Sequence, residues 1–141
     1  MGARTMRVVM MLIGGLALTG ASGTCPSDGP KQLPADQYGG DHMGMVVADS
    51  ATTIDYDCAT GRMPGVVALD ASGRFDVAGV FVRGHGGPIR IGEPEDSHPA
   101  RYSGRLDGKA LDVTVTVTDG SVPVQQYSLR RGQNPRVFKC L

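Results

Sequence analysis

Tryptophan is absent from this chain and aromatic side chains are few, four Tyr and three Phe in 141 residues. A domain of this size has at most one core, so each ring must serve several neighbours at once. Neither sign of charge is in surplus, with 14 Lys and Arg against 14 Asp and Glu. A nucleic-acid binder needs a cationic excess to displace counterions from phosphates, and that class is excluded. Signatures of the common enzyme classes are missing too. There is no Gly-x-Ser-x-Gly, P-loop or Gly-x-Gly-x-x-Gly, and no His-Glu-x-x-His or Cys-x-x-Cys spacing. No cofactor or metal is expected. Gly84-His85-Gly86-Gly87 has the look of an esterase oxyanion loop, but no elbow nucleophile accompanies it.

The first residues differ in kind from the rest. Arg4 and Arg7 precede an apolar and glycine stretch from Val8 to Leu18, followed by Thr19, Gly20, Ala21, Ser22 and Gly23. A cationic start, a short apolar run and small residues form the pattern of an export signal. The run is shorter than the roughly 20 apolar residues of a membrane-spanning helix. Residues 1–23 are therefore read as a signal peptide, and the rest as periplasmic or extracellular. Cys25 lies just beyond and is a candidate for lipidation, although Ser22-Gly23-Thr24 is a poor match to the residues that precede a lipoprotein cysteine. Such a lipid would be the chain's one membrane contact. Residues 24–40, with Pro26, Pro30 and Pro34, read as a Pro- and Gly-rich arm or tether, and residues 41–141 as the folded domain.

Export makes the remaining cysteines legible, because disulfides persist in oxidising compartments. In Thr52, Ile54, Tyr56 and Cys58 the inward phase alternates with Thr53, Asp55 and Asp57, and Phe138 shares a face with Cys140. That phase predicts a Cys58–Cys140 bridge; two buried free thiols are the alternative.

From Met43 onward the hydrophobic period is almost wholly two, the mark of half-buried strands. Eight segments are expected: Met43 to Ala48, Ala51 to Cys58, Gly65 to Leu69, Arg74 to Val82, Ala100 to Leu106, Ala110 to Thr118, Val122 to Arg130 and Arg136 to Cys140. Turn formers separate them, among them Asp107-Gly108 and Asp119-Gly120, for which type I′ geometry is expected. An eight-stranded antiparallel meander must close or double over to bury one face. Closure into a small barrel is the favoured reading, and a two-sheet sandwich the alternative. The interior would take Ile54, Tyr56, Phe75, Val77, Phe81, Tyr102, Leu111, Val113, Val115, Tyr127, Leu129 and Phe138, with Gly79 and Gly104 leaving room. An apolar pocket is expected around Phe81, Tyr102, Gly104 and Tyr127.

One connection, Arg83 to Pro99, exceeds a normal hairpin loop, and loops of that length are commonly functional or mobile. It gathers His85, His98, Glu93, Glu95 and Asp96, and His85, His98, Glu93 and Asp96 form a candidate loop site. The bland account is a solvated loop over one mouth of the barrel. Asp55 and Asp57, on one outward strand face, and His42 beside Asp41 read as surface groups rather than acid and base.

Several stretches carry a resemblance: Tyr38-Gly39-Gly40-Asp41-His42, Asp55 through Gly61, Leu69 through Phe75, His85-Gly86-Gly87-Pro88, and Tyr102 through Gly108. Together they resemble a group of small uncharacterised exported bacterial proteins over Tyr38 to Cys140. That resemblance implies no activity. At the level of fold the barrel is also similar to lipocalin-like and bacterial protease-inhibitor barrels, although the lipocalin Gly-x-Trp cannot be present without Trp. The expected function is non-enzymatic binding, as an envelope-associated module or a carrier of a small apolar ligand. A secreted inhibitor-like or interaction module using the N-terminal arm comes second, and a small hydrolase third.

Overall fold

The computed structural model describes residues 29–141, and these form eight antiparallel strands in chain order closed into a barrel. The strands are β1 (Asp36–Gly39), β2 (Met43–Val47), β3 (Ala51–Tyr56), β4 (Ala59–Pro64), β5 (Arg74–Arg83), β6 (Asp96–Asp107), β7 (Ala110–Val117) and β8 (Gln125–Arg131). Each pairs with its neighbour in sequence, and β1 meets β8 through Tyr38–Arg131 and Gly39–Arg130. That closure sets aside the sandwich. The signal segment 1–23 and Cys25 lie outside the described residues.

Alternation drives the strands as expected. In β7, Leu111, Val113, Val115 and Val117 are buried, while Asp112, Thr114 and Thr116 lie on the outer face. The β6–β7 turn consists of Gly108 and Lys109, and only Gly108 has positive φ, at 59°. A glycine leading a two-residue turn with no second positive φ fits type II′ rather than type I′.

Several boundaries differ from the sequence reading. The arm does not end at residue 40: Asp36–Gly39 is β1, so barrel structure begins five residues before Asp41. Gly65–Leu69 is not a strand. Its backbone leaves the barrel wall at Gly65, with φ of 73°, and pairs with the arm through Leu33 N–H to Val67 O at 2.8 Å and Leu69 N–H to Lys31 O at 2.9 Å. Leu33 and Val67 are both buried by this pairing and plug the barrel end where β1, β3, β5 and β7 begin. Strand β4 instead runs through Thr60 and Gly61, expected as a turn.

The C-terminal residues are a strap rather than a strand. After β8 the chain doubles back outside β1 and β2. A side chain at Gly44 would run into the Pro135 ring at 2.7 Å, and Arg136 makes an isolated parallel bridge with Asp41. Phe138, expected inside, is 68% exposed. Cys140 does bond Cys58, with Cα atoms 4.9 Å apart, but not through inward strand phases. Cys58 occupies the two-residue β3–β4 turn with φ of 58°, and the strap reaches it from outside.

The interior is filled by rings standing over glycines. A Cβ at Gly79 would meet the Tyr102 ring at 2.8 Å, and one at Gly104 would meet the Phe75 ring at 2.8 Å. At Gly61 it would collide with the Tyr102 hydroxyl and come within 3.3 Å of the Tyr56 ring. Met43, Met45, Ile54, Met63 and Leu111 fill the remaining space, all of them buried. Six aromatics suffice, Phe138 being outside, because the small residues let the rings reach across the lumen.

Candidate functional site at the loop end

The polar constellations gather at the unplugged end, where β2, β4, β6 and β8 begin. Strands β5 and β6 pair all the way from Arg74–Arg105 to Arg83–Asp96. The expected long loop therefore shrinks to residues 84–95, and Asp96, His98 and Pro99 belong to β6. This separates the four candidate loop residues into two groups. His85 faces Glu93 at 3.5 Å across the exposed loop. His98 and Asp96 instead form part of a network on the barrel rim.

That network joins three elements. His98 Nδ1 lies 2.6 Å from Asp119 Oδ2, in the β7–β8 connection, and Nε2 lies 2.8 Å from Asp96 Oδ1. The Ser121 hydroxyl is 3.3 Å from Nδ1, and the Ser121 N–H donates to Asp119 Oδ1 at 2.8 Å. Arg83, at the end of β5, donates to Ser121 O at 3.1 Å and approaches Asp96 Oδ2 at 3.9 Å. The His98 side chain is only 17% exposed. Its hydrogen bond to Asp119, followed by that to Asp96, raises the imidazole above its ordinary value despite the opposing effect of desolvation. Asp119 is pulled down to about 2, chiefly by Ser121 through its side chain and N–H, then by His98. A ring flanked by two carboxylates donates from both nitrogens, which only the imidazolium can do.

Ser121, His98 and Asp119 carry the residue types of a catalytic triad without its order. A relay needs the serine on one ring nitrogen and the carboxylate on the other. Here Ser121 and Asp119 share Nδ1, and Asp96 occupies Nε2.

A second polar group fastens the strap. His42, with φ of 67°, places Nδ1 2.5 Å from Asp57 Oδ2, and the Phe138 N–H donates to Asp57 Oδ1 at 2.7 Å. These two bonds, the Phe138 N–H first, hold the Asp57 carboxyl below its usual range. Lys139 to Asp55 at 3.0 Å and Arg136 to Asp41 at 2.8 Å complete the fastening. The aspartates read as solvated surface groups are thus the strap's anchors.

Of the expected pocket residues, Phe81, Tyr102 and Tyr127 gather around Tyr56 and occupy the space with their own rings, while Gly104 lies apart. Phe81 and Tyr127 flank Tyr56 with ring centroids 5.3 and 5.7 Å away. The Tyr102 hydroxyl donates to Val80 O at 2.9 Å, and Gly104 lies under Phe75 in the plugged half. Beyond the rim, Ile89 and Ile91 project from loop 84–95 with relative exposures of 89% and 108%. Among the described residues, no three His, Cys, Asp or Glu side chains are placed to hold one ion.

Sequence reasoning passed over Asp119 and Ser121 because Asp119-Gly120 was read only as a turn. The signal was there: an Asp two residues before a Ser can cap that residue's N–H, as an Asx turn does. No protein family, curated protein or solved structure matches the chain.

Proposed function

We propose that this chain is an exported, non-enzymatic binding module that works through the surface of its loop end rather than by carrying a ligand in its lumen. One observation carries this reading: two β-branched apolar side chains, Ile89 and Ile91, stand in water at the tip of a Gly- and Pro-bounded loop on a rigid barrel. Rigid scaffolds commonly present binding residues in this manner. The lumen, by contrast, is occupied by the Tyr102 and Phe75 rings where a carrier would need space. Export is supported by the Cys58–Cys140 bridge, which suits an oxidising compartment, and the partner we favour is an envelope protein. The arm is a weaker candidate for contact than the loop, since Leu33 and β1 are built into the barrel.

Titration with the hydrophobic fluorophore anilinonaphthalene sulfonate tests lumen against surface. We expect no saturable one-to-one site. A saturable site abolished by Gly104→Leu but retained in Ile89→Ser/Ile91→Ser would overturn this reading in favour of a carrier.

A further inference from the structure

We propose that His98 is a pH-sensitive clamp, fastening the β7–β8 connection to the start of β6 at both ring nitrogens only while the ring is protonated. The groups that face it come from every element packed against it. Asp96 lies on its own strand, Asp119 and Ser121 on the β7–β8 connection, and Arg83 at the end of β5 contacts both sides of the network. Its register partner on β5 is Phe81, which is apolar.

The stoichiometry of donors makes this a switch. An imidazolium has two N–H groups and satisfies both carboxylates; a neutral imidazole has one N–H and one lone pair. After deprotonation, one carboxylate must face a lone pair of the same polarity. Arg83 does not contact Asp119; its guanidinium lies on Ser121 O and near Asp96. Beyond Thr118, whose N–H and hydroxyl both reach Pro99 O, the polar ties of the connection to the neighbouring strands are the contacts of Asp119 and Ser121 with His98 and the Arg83–Ser121 bond, and Val122 packs against the core. The clamp also ends loop 84–95, since Asp96 is the first residue after it. The charge on one ring thus sets how firmly the β7–β8 connection and the base of the exposed loop are tied together. This holds whether or not the loop binds a partner.

Side-chain 15N NMR on the disulfide-intact protein tests it. His98 should titrate above 6.5, showing both N–H signals below its midpoint, and the Thr118, Gly120 and Ser121 amides should follow the same midpoint. Asp119→Asn should lower that midpoint more than Asp96→Asn, and should remove the response of the three amides. A His98 midpoint at or below 6.5, or amides that ignore it, would overturn the proposal. If Asp119→Asn does not fold, the wild-type titration and Asp96→Asn decide on the same criteria.

Discussion

Removing the Cys58–Cys140 bridge should cost this barrel a large part of its stability, and the structure gives the magnitude. The bridge closes a loop with a sequence separation of 82 residues, spanning every strand from β4 to β8. Loop-closure entropy for that length is about 15 cal/mol/K, so the cross-link is worth about 4.5 kcal/mol at 25 °C through its effect on the unfolded chain. In a domain of this size 1 kcal/mol corresponds to roughly 4 °C, which places the loss near 18 °C in Tm. The strap's polar ties are exposed ion pairs worth little individually, so they should not compensate. The comparison is Cys58→Ala/Cys140→Ala against the bridged protein, both carrying Cys25→Ser to prevent rearranged pairing, followed by urea and thermal unfolding. A loss below about 1 kcal/mol would refute the argument, and would mean that the unfolded chain is already compact without the bridge.

Four further outcomes are expected. Gly79→Ala should destabilise by about 1–3 kcal/mol in chemical unfolding, because its Cβ would meet the Tyr102 ring and the Arg62 backbone carbonyl. Tyr102→Phe should cost about 1 kcal/mol by removing the bond to Val80 O. Tyr56→Phe should cost less, since the buried Tyr56 hydroxyl lies beside the Tyr102 hydroxyl without a well-formed hydrogen bond; thermal denaturation of the pair checks the contrast. Asp119 sits at about 2 against an ordinary 3.8. Its contribution is therefore complete above about pH 4 and disappears as pH falls toward 2. Acid unfolding of Asp119→Asn should lose that part of the pH dependence, and an unchanged acid slope would contradict it.

The fold was legible where one face is apolar without interruption. In β7, Leu111, Val113, Val115 and Val117 leave no other phase. Legibility fails where a strand's identity comes from its neighbours. Asp36-Gln37-Tyr38-Gly39 holds one large apolar residue, and it becomes β1 because β2 and β8 supply partners on both sides. β4 was hidden for a related reason: its inward Gly61 is small so that Tyr56 and Tyr102 can cross it, and a glycine required by packing reads locally as a turn. The rim network was obscured by Pro99. Proline is normally a reason to end a strand, yet β6 carries it opposite Val80 and uses its carbonyl to receive Thr118. Extending β6 across that proline is what takes His98 out of the loop and sets it between Asp96 and Asp119. The disulfide partners were chosen correctly for a reason that does not hold, since the strap delivers Cys140 from outside.

The two ends of the barrel are unequal, and that inequality bears on how a membrane-anchored form would present itself. Gly29 borders a cleft of about 500 Å³ with Gly73 and Gly108, at the plugged end, whereas loop 84–95 and the disulfide occupy the opposite end. Cys25 precedes Gly29 by four residues, and an extended chain spans at most about 3.5 Å per residue. A lipid on Cys25 would therefore keep Gly29, at the plugged end, within about 14 Å of its anchor point, with Ile89 and Ile91 at the barrel's other end. In that arrangement Ile89 and Ile91 would be free to meet a protein, the partner class proposed above. Intact mass of the exported protein reads whether residues 1–23 are removed and whether Cys25 carries a diacylglyceryl group. For a lipid-bearing form on vesicles containing brominated lipid, a fluorophore on Lys109→Cys should be quenched and one on Ile91→Cys should not. Quenching at residue 91 alone would show that the loop end faces the bilayer and that the partner argued for here is the wrong class.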